Sequence, residues 1–214
     1  MIGWFLNVLV LRPNIMQSIE TFVSTCVSAE QAVKAERIQS LWSGYGEIFK
    51  MRLEGERNRP KRISVVVKRV APPKKKSIES NSHLRKLRSY EVETNFYETW
   101  SMRCDSKCKV PQFLGAKKLD HEWWIVLEDL DRSGYSERAD DYDKTGVKLC
   151  LEWLANFHAT FLGETPDGLW EIGTYWHLAT RPDEHRDMGN EGGLKQAAVA
   201  IDRRLNECEF RTLV

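Results

Sequence analysis

Ile63-Ser64-Val65-Val66-Val67-Lys68-Arg69-Val70 is the stretch that decides the fold. It is short and rich in β-branched residues, with turn residues Gly55 to Pro60 before it and Ala71-Pro72-Pro73 after it. Branched side chains are stiff about χ1 and pack well on a pleated surface, so the run predicts a strand. Its oddity is Lys68. An ammonium group inside an apolar strand is costly to bury unless it is paired or solvated. Either Lys68 faces water at a sheet edge, or a neighbouring element supplies its partner.

On the N-terminal side, Ile48, Phe49, Met51 and Leu53 predict a second strand, preceded by the break Ser43-Gly44-Tyr45-Gly46-Glu47. Before that break, Ile19, Phe22, Val23, Cys26 and Val27, then Ala32, Val33 and Ile38, predict one or two leading helices over residues 16–40. On the C-terminal side, Ala71 to Lys76 opens a basic, solvated loop. From His83 to Met102, Leu84, Leu87, Tyr90, Phe96, Tyr97 and Trp100 recur at three- and four-residue steps and predict a long helix. Phe113 to Ala116 and Trp123 to Leu127 read as two further strands joined by the polar turn Lys118–Glu122.

The character changes after Asp131. Ser133–Asp143 is a polar loop, and Val147 to Phe161 is an amphipathic helix. Another helical stretch spans Gly193 to Leu205, with Phe210–Val214 as a last strand. The expected organisation is therefore an extension with leading helices over 1–39, a lobe over 40–130 and a helical region over 131–214. The fold class is α+β.

Thirty-two basic residues face 31 acidic ones, so no basic excess points to a nucleic-acid partner. Cys26, Cys104, Cys108, Cys150 and Cys208 are odd in number and scattered, which argues against a disulfide framework and for a reducing, cytoplasmic setting. Cys104 and Cys108 have no nearby second Cys/His pair to complete a tetrahedral metal site. The apolar residues 2–10 are far short of the roughly 20 needed to span a bilayer and lack the basic flank of a secretory signal.

Several residues suit the needs of a nucleotide: close backbone approach at its phosphates, a cation for their oxygens and peptide groups for its base. Gly44 and Gly46 offer the first, because a residue without a Cβ lets backbone come close. Lys68 offers the second. A carboxylate on the following helix would hold that lysine in place; Glu93 and Glu91 both qualify, and helix phase does not choose between them. Leu127-Glu128-Asp129-Leu130 ends an apolar strand, where backbone groups would serve a base. His158, alone on its helix, reads as structural.

Taken in order, Gly44-Tyr45-Gly46, Val66-Val67-Lys68, Tyr90-Glu91-Val92-Glu93-x-x-Phe96-Tyr97 and Val126-Leu127-Glu128-Asp129-Leu130 resemble the ATP-lobe signatures of the choline-kinase-like family. That family belongs to the aminoglycoside phosphotransferase superfamily. Leu154 to Ala159 is similar to the family's first large C-lobe helix, and the stretches 174–178 and 180–182 also look familiar from close relatives.

The resemblance implies a protein-kinase-like fold with an antiparallel-sheet ATP lobe and an incomplete helical lobe. It implies ATP with Mg2+, and transfer of phosphate to a hydroxyl of a small molecule. Lys68 would contact the α- and β-phosphates and Glu93 would pair with it. Backbone at Glu128 and Leu130 would hold the adenine edge, and Gly44 and Gly46 would cover the phosphates.

The sequence departs from the family in one respect: it contains no His-Gly-Asp catalytic loop, and Phe210 to Val214 resembles the strand leading into one. The expectation is a fragment without catalytic or metal-binding carboxylates, inactive by itself and with uncovered apolar surface on the 147–161 helix. The alternatives are a non-catalytic nucleotide-binding pseudokinase and a protein-interaction module.

Overall fold

The structure is a computed structural model, and it describes residues 18–55, 63–73, 80–139 and 141–172, with residues 177 and 181. The expected terminal segment 2–10, the turn at 56–60, the lysine loop 74–76, the 193–205 helix and the 210–214 strand lie outside the described residues. Those described within Met1–Pro73 and Ser101–Phe157 make one compact unit, and those within Lys74–Trp100 and His158–Val214 make a second.

The first unit is built on five strands: β1 (Gln31–Ser40), β2 (Gly46–Glu54), β3 (Ser64–Val70), β4 (Phe113–Lys118) and β5 (Trp123–Glu128). They lie in the order β1-β2-β3-β5-β4 with every neighbouring pair antiparallel. This is the expected α+β class, and the antiparallel five-stranded sheet is consistent with the first lobe of a kinase-like fold. The deciding run 63–70 becomes β3, a strand with β2 on one side and β5 on the other.

Alternation of side chains along β3 gives the sheet two different faces. Val65 and Val67 point to one of them, where they join Val23, Phe49, Met51 and Val126 in the core. The helix α1 (Ile19–Val27) covers this face. Ser18 starts it, its hydroxyl accepting from the Thr21 N–H at 3.2 Å. Val23 is fully buried, and Phe22 meets Trp124 with ring centroids 5.8 Å apart. At Gly115 on β4 a Cβ would stand 2.6 Å from the Cys26 sulfur, so glycine lets the helix lie close to the sheet.

One expectation is corrected. Residues 31–40 form a strand, not a second leading helix. Ser28 ends α1 in the left-handed region at φ 53° and turns the chain. Ala32 is then the single buried residue of β1, which runs along the sheet margin. Register shifts between Lys34 and Glu36 and between Arg37 and Gln39 break the alternation that would have announced a strand.

α3 (Lys144–Thr160) contributes most of its residues to the first unit. None of its side chains is buried; Leu149 and Leu151 are 61% and 60% exposed. Its inner anchor is Trp153, which donates to the Lys109 carbonyl at 3.0 Å and stacks on Phe157 at 5.1 Å.

In the second unit, α2 (Asn81–Asn95) begins at Ser80, whose hydroxyl accepts from the His83 N–H. It continues into a wider turn over Phe96–Trp100, so helical structure fills the expected 83–102 segment to its last residues. Asn95 and the Trp100 indole both donate to the Asp167 carbonyl, at 3.0 and 3.2 Å. No helix among the described residues is long and apolar enough to cross a membrane.

Candidate functional site

The face of the sheet away from α1 carries two half-buried lysines, Lys68 and Lys50. Lys68 alternates with Val67 and therefore points to this face, in a row with Ile48 of β2 and Ile125 of β5. It is half-buried. One row along, Lys50 stands beside Val66 and Leu127.

At one end of β3, Gly46 pairs with Val70; at the other, Glu128 pairs with Val65. Lys68 lies between them. At about 3.3 Å per residue the two ends are about 16 Å apart, a length fitting an extended nucleoside triphosphate.

The glycines sit in the turn that joins β1 to β2. Ser43 and Gly44 have successive positive φ values of 60° and 72°, and Gly46 has 135°. The Leu41 N–H donates to the Gly46 carbonyl at 2.9 Å, closing the turn, and the Ala71 N–H donates to the Tyr45 carbonyl at 2.7 Å, tying the turn to the end of β3. A Cβ on Gly46 would lie 2.0 Å from the Arg69 carbonyl oxygen, whereas one on Gly44 would meet nothing within 4 Å. Gly46 is thus required by close approach and Gly44 by conformation alone. Trp42, in the same turn, is 84% exposed.

The segment leaving β5 is held by its own side chains. The Glu128 carboxylate accepts from Lys109 Nζ at 2.6 Å, the Ser133 hydroxyl at 2.6 Å and the Gln112 N–H at 2.9 Å. Burial works to raise its pKa, but these three donors outweigh it and bring the group down to about 2. Its N–H donates to the Gln112 carbonyl at 2.9 Å. Leu130 opens a tight turn running to Ser133, and its carbonyl accepts from the Tyr135 N–H.

Sequence reasoning missed the network beneath this segment. Asp129 is 3% exposed; its Oδ2 accepts from the Ser64 hydroxyl at 2.6 Å and faces Lys50 Nζ at 3.2 Å. Lys50 also bonds Asp131 Oδ2 at 3.0 Å, while Asp131 Oδ1 accepts from Arg138 at 2.6 Å. Burial pulls the Lys50 pKa down, but the two carboxylates carry it above the ordinary lysine value. The signal was present: Lys50 interrupts the apolar run Ile48–Met51 just as Lys68 interrupts its own strand.

The remaining expected residues are placed as follows. Glu93 belongs to the second unit, half-buried on α2, where its charge adds to the burial that pushes Tyr97 up to about 12. His158 is exposed on α3. Cys104 and Cys108 are neighbours: burial, then the second thiol, raises Cys104 to about 11.

The described residues do not offer a ligand set for the Mg2+ that the resemblance implies. Among the described residues no group of three or more His, Cys, Asp or Glu could hold a metal ion. Asp129 and Asp131 are already matched by Lys50, Ser64 and Arg138.

A sequence model of the Ecdysteroid kinase-like family matches residues 44–162, more than half of the 214. The match takes in the glycine turn, Lys68, Glu93 and the Glu128–Leu130 segment. No curated protein matches the chain.

Proposed function

This chain belongs to the ecdysteroid kinase-like family, a kinase-like group, and on that premise we propose that the face of its sheet away from α1 binds ATP for transfer of phosphate to a hydroxyl of a small molecule. The observation that carries the reading is the register along β3. It sets Glu128 opposite Val65 and Gly46 opposite Val70 with Lys68 between them, an order that would suit a base, inner phosphates and outer phosphates.

Each group then has a task. The Glu128 carbonyl accepts from the exocyclic amine of adenine, and the Leu130 N–H donates to the ring. Val66 and Leu127, in the row between base edge and lysine, give the ring an apolar surface. The Lys68 ammonium lies against the inner phosphate oxygens and offsets their charge. Gly44 and Gly46 let backbone approach the phosphates where a side chain would intrude.

The test is a calorimetric titration of the whole chain with ATP, beside the Lys68→Ala variant. Saturable binding weakened at least about tenfold by the substitution, or about 1.4 kcal/mol, supports the reading. Equal affinity in the two proteins removes Lys68 from the site.

A further inference from the structure

Lys50 shares with Lys68 the face of the sheet away from α1, and the family resemblance gives it no role. It stands in a strand between Phe49 and Met51, both buried on the opposite face. Only 17% of its side chain is exposed. An apolar residue at this position would pack against Val66 and Leu127 without any desolvation cost; a charge is tolerated here only because partners surround it.

The two nearest of those partners belong to one short segment. The ammonium sits 3.2 Å from Asp129 and 3.0 Å from Asp131, with Glu36 more distant at 3.8 Å and 66% exposed. Asp129 in turn takes the Ser64 hydroxyl, and its other oxygen accepts from the Asp131 N–H at 3.2 Å, capping the turn that starts at Leu130. Three strands, through Lys50, Ser64 and the end of β5, thus converge on the two residues that flank Leu130. Replacing such a buried pair by apolar residues is often neutral for stability, so the pair is better explained by the conformation it selects than by the energy it adds.

We infer that Lys50 is a positioning residue for base recognition, holding through Asp129 and Asp131 the backbone from Glu128 to Leu130 in the geometry that meets the base edge. The inference rests on the nucleotide reading above. Lys50 acts on the base end of the ligand and not on its phosphates, and that separates it from Lys68.

The test compares ATP with inorganic tripolyphosphate, which carries the charges of ATP and has no base. Both are titrated into the wild-type chain and into Lys50→Met and Lys50→Arg, with thermal midpoints recorded for each protein. The expected result is an affinity for ATP lowered about tenfold in Lys50→Met, within the reach of a residue acting through its neighbours. Tripolyphosphate affinity stays within about twofold of wild type, and Lys50→Arg restores most of the ATP affinity.

Unchanged ATP affinity in Lys50→Met overturns the inference while leaving the nucleotide reading intact. Parallel loss of both ligands also overturns it, because it marks a general loss of structure. Failure of the wild-type chain to bind ATP overturns the nucleotide reading itself, and the inference with it. If Lys50→Met does not fold, Asp131→Asn, at a 31% exposed carboxylate, carries the same comparison with the same outcomes.

Discussion

The two faces of one sheet differ in what they ask of their side chains. On the face under α1, Val65, Val67, Met51 and Val126 are completely buried and carry no polar atom. On the other, the same strands present Ser64, Lys68 and Lys50, each a residue that an apolar core would exclude. Adjacent residues of β3 are therefore under different constraints: Val67 is there for packing, and Lys68 for something that a core does not need. The first face explains why the lobe folds, and the second where its chemistry is to be sought.

Substitutions should separate the faces sharply. Met51→Ala removes a completely buried side chain and is expected to cost about 2–5 kcal/mol in denaturant unfolding. Lys68→Ala, one strand away on the other face, is expected to cost under about 1 kcal/mol while abolishing most nucleotide affinity. Equal destabilisation by the two would erase the distinction.

A smaller contrast lies within the glycine turn. Gly46→Ala drives a methyl into the Arg69 carbonyl at a φ of 135° and is expected to cost about 3 kcal/mol or more. Gly44→Ala meets no atom and pays for its left-handed backbone alone, about 1–2 kcal/mol. The order of the two unfolding free energies is the readout.

The smallest effect is one of pH. The Glu128 carboxyl is held at about 2 in the folded chain against an ordinary 4.5. Its contribution to stability is fully present above pH 4.5 and is lost as pH falls through about 2. Between those values the wild-type chain should lose stability faster than Glu128→Gln. Parallel curves would mean that the three donors around Glu128 do not bind it as drawn.

Much of this is legible in the sequence. β3 announced itself through four valines and its flanking turns, and α2 through aromatic residues at helical steps, because both patterns follow from which side must be buried. β1 was not legible. It lies at the sheet margin with one buried residue and two register shifts, so its identity comes from hydrogen bonds to β2 and not from its own side chains. Lys68 stood out because its neighbours are apolar. The Lys50–Asp129–Asp131 network did not, since its members are about 80 positions apart and meet only once β2, β3 and β5 are in register.

The central claim is that the nucleotide lies along β3 on the face away from α1. Backbone hydrogen exchange of the whole chain, with and without ATP, tests it most directly. The account predicts slower exchange at residues 42–46 and at Leu130 when ATP is added, with no change across α1. Protection confined to α1 and β1, or none at saturating ATP, would contradict it.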